Sequence, residues 1–334
     1  MARPTIKDVS RLAGVSIGTV SNVVNGHPNI SPKMRERVEL AIAKLGYQPN
    51  RAAKSLPKGR TGLLGYRMPE AKKLNPSLDI FLHQVVESAG LLGLEVLLFT
   101  PRPGQSELEA YEEVLNRGGV DAFVLAGIEY DDPRIRYLDD RKVPFSAFGR
   151  AGQHERSVCV DVDGAAGTAA AVEHLLETGR KRIAFLGWPE GSLTGDERLR
   201  GWHEALELAG QTADSDAIIR TDDSYSKGRD LAAELVSQEF DGVVCASDTF
   251  ALGVMAGLQQ MGKSPGRDLA VIGFDDVAAA DLVEPGLTSI RQPMAAVGEA
   301  MVTRLSRILD GDDSSSATLL IKPELVVRGS TAVE

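Results

Sequence analysis

Acids, arginines and aromatic residues recur just beyond short apolar runs along most of the chain. The set comprises Arg67 and Asn75, Glu129, Arg150, Trp188, Arg198, Asp223 with Tyr225, Asp248, and Asp275 with Asp276. Carboxylates accept hydroxyl protons, an arginine donates a planar fork, and a ring covers the apolar face of a pyranose. The chemistry open to such a set is the binding of a neutral polyhydroxylated molecule. Any one of these residues could be a surface charge or a helix cap; their shared place after the runs is the signal. A second set lies near the N-terminus. Ser16, Thr19, Asn25 and Ser31 are short hydroxyl or amide groups suited to phosphate oxygens. Asn22 can pair with an adenine edge, and Ile17 can touch a thymine methyl.

Metal-ligand patterns are missing. The chain holds no His-Glu-x-x-His and no Cys-x-x-Cys. Its histidines (His27, His83, His154, His174, His203) are scattered, with none at metal-ligand spacing. Adjacent Asp275 and Asp276 at a strand end point in different directions, which fits one ligand contact and one structural cap better than a catalytic pair. Neither enzyme activity nor a cofactor or metal is expected.

The elements that must carry these residues fall into two regions. Thr5-Ile6-Lys7-Asp8 reads as a capping box, and Ile6, Val9, Leu12 and Ala13 recur at helical spacing. Gly14 ends that helix, Ser16 caps a second from Ile17 to about Val24, and Ser31-Pro32 opens a third that closes at Gly46. Two short helices joined by Ala13-Gly14-Val15-Ser16 have the helix-turn-helix form. Ile17, Gly18, Ser21 and Asn22 are then offered to a major groove. Pro49 and Pro57 bracket a segment too short to hold a helix unaided. From Thr61 onward, apolar runs at 62–66, 96–99, 122–125 and 143–145 alternate with helical stretches near 78–92, 106–117 and 133–141. A second series has runs at 183–186, 218–219, 243–245 and 270–272, with helices near 164–178, 196–209, 226–238 and 249–261. Two such series predict two lobes of parallel sheet covered by helices, with ligands in the cleft beyond the strands' carboxyl ends. A last helix near 294–310 and closing strands near 318–328 would run back between the lobes.

Charge separates the same regions. Residues 1–60 carry eleven Lys or Arg against three acids, a net of +8, within a chain of 334 residues and net charge −10. The remaining −18 repels nucleic acid, so only the head is suited to phosphates. The start of the chain has no apolar signal core and no run approaches the roughly 18 apolar residues of a membrane span. With only Cys159 and Cys245, both in apolar runs, a cytoplasmic protein with reduced thiols is expected.

Ile6-Lys7-Asp8-Val9, Ala13-Gly14-Val15-Ser16, Thr19-Val20-Ser21, Val23-Val24-Asn25 and Leu45-Gly46-Tyr47-Gln48-Pro49-Asn50, with Ala52-Ala53 and Leu56, closely resemble the head of the LacI/GalR repressor family. Glu197-Arg198-Leu199, Gly201-Trp202, Ser247-Asp248, Val271-Ile272-Gly273-Phe274-Asp275-Asp276, Leu287-Thr288-Ser289-Ile290 with Gln292, and Glu324 to Thr331 are similar to its core. The resemblance implies a helix-turn-helix head (1–48), a hinge helix and linker (49–60), and a two-lobed α/β core with parallel sheets, of periplasmic-binding-protein type (61–334). Its N-lobe would hold about 61–160 and 293–320, its C-lobe about 161–291 and 321–330. The resemblance further implies a homodimer on a near-palindromic double-stranded operator, with Thr5, Tyr47 and Asn50 added to the DNA contacts. Leu56 and Ala53 would enter the minor groove. Arg67, Asn75, Arg150, Trp188, Arg198, Asp248, Asp275 and Gln292 are the implied effector contacts, for a mono- or disaccharide that releases a repressor of carbohydrate uptake or catabolism genes. Ile17-Gly18 with Asn22 departs from the larger polar readers of some members, and Gly18 weakens its helix by roughly 1 kcal/mol relative to Ala. A purine or a phosphoprotein as co-repressor, and a non-regulatory sugar-binding protein, are the alternatives. The basic head and the lack of a signal peptide argue against the last of these.

Overall fold

A computed structural model of the chain describes residues 4–24, 27, 29–47, 60–69, 76–150, 157–312 and 318–333. Asn25, Asn50, Ala53, Leu56 and Asn75, and the whole expected hinge apart from Arg60, lie outside the described residues. Two compact units emerge, the first of Met1–Gly62 with Gly118–Val120 and the second of Leu63–Arg117 with Asp121–Glu334.

In the first unit, α1 (Ile6–Ala13), α2 (Ile17–Val24) and α3 (Pro32–Leu45) form as their caps dictate. The Thr5 amide and hydroxyl donate to the Asp8 carboxylate at 2.9 and 2.7 Å. Gly14 closes α1 at φ +62°, a left-handed conformation that glycine adopts without strain. The Ser16 hydroxyl accepts the Thr19 amide at 3.1 Å and so opens α2. Val9, Ala13, Val20, Val23, Val38 and Ala41 form the core beneath them. Tyr47, expected to touch DNA, packs into that core at 8% exposure. Arg37 ties the turn down by donating to the Ala13 carbonyl at 2.6 Å.

The second unit holds two six-stranded sheets. The first comprises β1 (Leu63–Arg67), β2 (Glu95–Phe99), β3 (Ala122–Leu125), β4 (Phe145–Phe148), β5 (Ser157–Val162) and β11 (Leu319–Ile321), in the order β11-β5-β4-β3-β1-β2. All of its pairings are parallel. The second comprises β6 (Ile183–Gly187), β7 (Ile218–Arg220), β8 (Gly242–Cys245), β9 (Ala270–Asp275), β10 (Thr288–Arg291) and β12 (Glu324–Val326), in the order β12-β10-β9-β8-β6-β7. Only β12 runs antiparallel there, against β10.

Helices cover both sheets. Those of the first lobe are α4 (Pro76–Leu91), α5 (Glu107–Asn116) and α6 (Pro133–Asp140). Those of the second are α7 (Gly164–Glu177), α8 (Leu193–Leu208), α9 (Tyr225–Ser237), α10 (Asp248–Gln260) and the single turn α11 (Ala279–Leu282). The long α12 (Met294–Leu309) returns to the first lobe, where Met294, Val297, Met301, Val302 and Leu305 join the core of Leu64, Tyr66, Phe81 and Val85. No helix among the described residues is long and apolar enough to cross a membrane.

Strands β5 and β10 were not expected. Each carries polar residues where a buried strand usually shows an unbroken apolar run. These are Ser157 and Asp161 in β5, and Thr288 and Ser289 in β10. The fold satisfies the last two internally: the Thr288 hydroxyl donates to the Arg328 carbonyl at 3.1 Å, and the Ser289 hydroxyl to Asp248 at 2.5 Å.

Candidate ligand cleft and nucleic-acid interface

A cavity of about 510 Å³ opens between the two sheets at the carboxyl ends of their strands. That volume lies within the usual range of small-molecule sites. Its lining draws Ser77 and Leu78 from α4, Phe148 from the end of β4, Asp161 and Val162 from the end of β5, and Trp188 from beyond β6. Arg198 enters from α8, Phe274 from β9 and Gln292 from beyond β10. Across the mouth the lobes touch. The Leu193 amide at the start of α8 donates to Glu129 of the first lobe at 2.8 Å, and Arg150 lies 3.0 Å from Glu197.

Arg198 is the centre of the site. It is 4% exposed, its guanidinium carbon lies 3.5 Å from the Phe274 ring centre, and the Trp188 ring stands 5.1 Å away. One terminal nitrogen donates to the Ala246 carbonyl and the other lies 3.7 Å from Asp275. Its Nε is buried with no hydrogen-bond partner. Burial draws its pKa down and the Asp275 carboxylate opposes that shift. A guanidinium stacked on a ring and held by a carbonyl and a carboxylate is fixed in place at the cavity wall.

Asp275 depends on an unusual support. It and Asp276 both have positive φ, +116° and +50°, a region that non-glycine residues enter only when their surroundings force it. The force comes from Asp248, which accepts the Val277 amide at 2.8 Å and the Ser289 hydroxyl at 2.5 Å. The Asp276 carboxylate is clamped by Arg291 and Arg328, each at 2.7 Å. Gly273 makes the arrangement possible, because a Cβ there would come within 2.1 Å of the Asp248 carboxylate. Asp275 in turn accepts from the Gln292 amide at 2.5 Å, beside the cavity.

The expected contacts therefore divide. Trp188, Arg198 and Gln292 line the cavity, and Asp275 sits directly behind them. Asp248, 1% exposed, does not reach the cavity; its oxygens are spent on the loop that holds Asp275. Arg67 is paired with Glu107 and donates to the Met68 carbonyl at 3.1 Å, away from the lining. Arg150 braces the rim between Asp161 at 3.3 Å and Glu197 at 3.0 Å. Asp161, Phe148, Glu197 and Phe274 line the cavity and were not singled out from the sequence as ligand contacts. Asp161 ends β5, and recognition of that strand would have named it.

Three of these carboxyls titrate high. Burial, reinforced by the Asp275 carboxylate, pushes Asp248 up from its ordinary 3.8 to about 8. Burial also raises Asp275 and Asp161 to about 6, although Arg198 and the Val162 amide respectively pull them back. These three groups therefore bind protons more tightly in the folded chain than in the unfolded one between about pH 4 and 8, and the stability they contribute falls as pH rises through that window. The thermal midpoint is expected to be several degrees higher at pH 6 than at pH 9. Asp248→Asn, which keeps an acceptor for Val277 and supplies a donor to Ser289, should shrink that difference. An identical pH slope in the variant would show that Asp248 carries none of the effect.

In the first unit, Ser16, Ile17, Gly18 and Asn22 form an exposed row on α2, while Val20 and Val23 face inward. Ile17 is 44% exposed, an apolar side chain held in water at the start of the helix. Ser21 and Thr19 flank the row, half-buried, and the Thr19 hydroxyl is 2.9 Å from that of Ser16. Thr5 and Ser31 are exposed at the other helix starts. An exposed row of short polar and apolar groups at the start of one helix is suited to a major groove.

A helix-turn-helix unit joined to a two-lobed ligand-binding core is the architecture of a DNA-binding transcriptional regulator. Residues 5–50 match the model of bacterial regulatory proteins of the lacI family, and 172–331 match a periplasmic binding protein-like domain. The HTH-type transcriptional regulator CelR of Thermobifida fusca is 35% identical, over 98% of both chains. A CelR–cellobiose complex superposes with TM-score 0.74 at 33% identity, covering 98% of this chain and all of that one. The lac repressor dimer bound to operator and the anti-inducer ONPF gives TM-score 0.84 at 28% identity, over 99% and 100%. The chain belongs to the lacI family of bacterial regulatory proteins.

Proposed function

We propose that the protein is a repressor of genes for the uptake or breakdown of a carbohydrate, released from its operator when a mono- or disaccharide binds between the lobes. The observation that carries this reading is Arg198, stacked on Phe274 beside Trp188 in the cavity lining, in a chain whose head also presents the Ile17-to-Asn22 row. Trp188 would cover an apolar sugar face, Arg198 would donate to hydroxyl oxygens, and Asp161 and Asp275 would accept hydroxyl protons.

Two chains would act together, each head reading one half of a near-palindrome and each hinge folding in the minor groove with Leu56 and Ala53. Asn22 and Ile17 would read base edges, while Ser16, Thr19 and Ser31 would hold phosphates. Sugar would bind one arrangement of the lobes better than the other and so shift the paired cores away from the spacing that the hinges need. The division into head 1–48, hinge 49–60 and core 61–334 follows from this assignment of tasks, as does a cytoplasmic location beside the chromosome. Support comes from the cellobiose in the CelR complex and the operator in the lac repressor complex.

The test is selection of duplexes from a random pool by the full chain, followed by fluorescence anisotropy at rising salt with a panel of sugars including cellobiose and maltose. A near-palindromic site, bound with steep salt dependence and released by one member of the panel, is expected. Failure to prefer any duplex, with or without sugar, would remove the reading.

A further inference from the structure

Among the described residues, the charged lining of the cleft is five acids to one cation: Glu129, Asp161, Glu197, Asp222 and Asp223 against Arg198. The one cation is already committed to Asp275 and the Ala246 carbonyl. Nearby arginines are neutralised too, Arg150 by Asp161 and Glu197, and Arg220 by Asp196 at 3.1 Å. The other apparatus for holding an anion is the start of a helix, where free amides and the helix dipole attract negative charge. Those at the starts of α7, α8 and α10 hold acceptors from the chain itself. Asp163 accepts the Ala166 amide at the start of α7 at 3.0 Å, and Glu129 accepts the Leu193 amide at the start of α8. At α10 the Ser247 hydroxyl accepts the Phe250 amide and donates to Asp223 at 2.7 Å.

We propose that the cleft admits an uncharged sugar and refuses the same sugar once it is phosphorylated. The proposal rests on the sugar reading above and narrows its ligand class. Each phosphate oxygen brought into the cavity would lose its water and face carboxylates, with no unpaired cation among the described lining residues to replace that water. The hydroxyls of a neutral sugar, by contrast, can donate to those same carboxylates. The ligand must then be supplied either by uptake that leaves the sugar unmodified or by hydrolysis of a larger glycoside. A kinase would end the signal: it moves a phosphoryl group from a nucleoside triphosphate to a sugar hydroxyl, leaving the diphosphate, a proton and a sugar phosphate that the cleft rejects.

The test is isothermal titration calorimetry of the full chain in phosphate-free buffer, so that Lys72 and Lys73, outside the described residues, are counted in it. The probes are glucose, maltose and cellobiose, their 6-phosphates (on the non-reducing ring for the disaccharides), and inorganic phosphate. The expected result is binding of at least one neutral sugar and a loss of about 100-fold or more for its phosphate, equivalent to about 2.7 kcal/mol. Glu129→Gln, which removes a charge and loosens the plug on α8, should narrow that gap at least tenfold, and so should a rise in salt. A sugar phosphate that binds within tenfold of its parent overturns the proposal. A gap that neither Glu129→Gln nor salt changes is steric, and also overturns it. If no neutral sugar binds, the sugar reading fails separately, and the anions are still informative: binding of glucose 6-phosphate or inorganic phosphate overturns the refusal, and silence from both upholds it.

Discussion

Arg198→Lys is expected to leave the chain folded and to weaken binding of its best sugar about 100-fold or more. Lysine keeps the positive charge near Asp275 but loses the planar fork and the stack on Phe274. Hydrogen bonds to charged groups are worth about 1.5–3 kcal/mol each, so loss of one or two of them accounts for that factor. Arg198→Ala should behave differently. It leaves Asp275 and its neighbours buried without a counter-charge, at a cost of about 3–5 kcal/mol, and should lower the melting temperature as well. Calorimetry with each sugar and a thermal melt of each variant separate the two effects. A lysine variant that binds sugar like the wild type would remove Arg198 from the contact set.

Gly253→Val should destabilise the second lobe by about 3 kcal/mol, the upper end of what overpacking ordinarily costs. Helices α9 and α10 cross closely enough that a Cβ on Gly253 would fall 2.3 Å from the Tyr225 carbonyl oxygen and 2.9 Å from the Arg229 amide nitrogen. Both atoms are backbone, so no side chain can swing aside, and the helices themselves must part. Their separation would disturb Asp248 at the start of α10, and with it the loop of Asp275. Gly90→Ala, also in a helix but with nothing within 4 Å, is the control and should be neutral or stabilising by up to about 1 kcal/mol. Chemical denaturation reads both. Equal stability of the two variants would mean that the helix crossing is not a constraint.

The head was legible because each of its features is local. Thr5-Asp8, Gly14, Ser16 and Ser31-Pro32 set helix starts and stops within a few residues, and the structure places the helices there. Its errors came from facing. Leu12, placed with the inward residues of its helix, is 45% exposed. Which side of a short helix or a loop faces inward depends on partners distant in sequence. The alternation of strands and helices was equally plain wherever a strand was an unbroken apolar run. Strands β5 and β10 broke that pattern with polar residues whose partners lie far along the chain, such as Ser289 with Asp248.

The same cause limited the reading of the cleft. Arg198, Trp188 and Gln292 follow or face strand ends and were found. Asp248 occupies an equivalent position, but the missing side chain of Gly273 lets it sink beneath the loop, where it positions Asp275. Depth below a strand end is set by what the neighbouring strand leaves open, and no spacing rule reports that.

The central claim is that the cleft and the head are energetically linked through one chain. Linkage is reciprocal: if sugar weakens the grip on DNA by some factor, DNA must weaken the grip on sugar by the same factor. The direct measurement is a calorimetric titration of the full chain with its best sugar, alone and again with saturating operator duplex. The account predicts that the duplex lowers sugar affinity by the factor by which sugar lowers duplex affinity, about 5- to 150-fold for typical couplings. A sugar affinity unchanged by the duplex would contradict it.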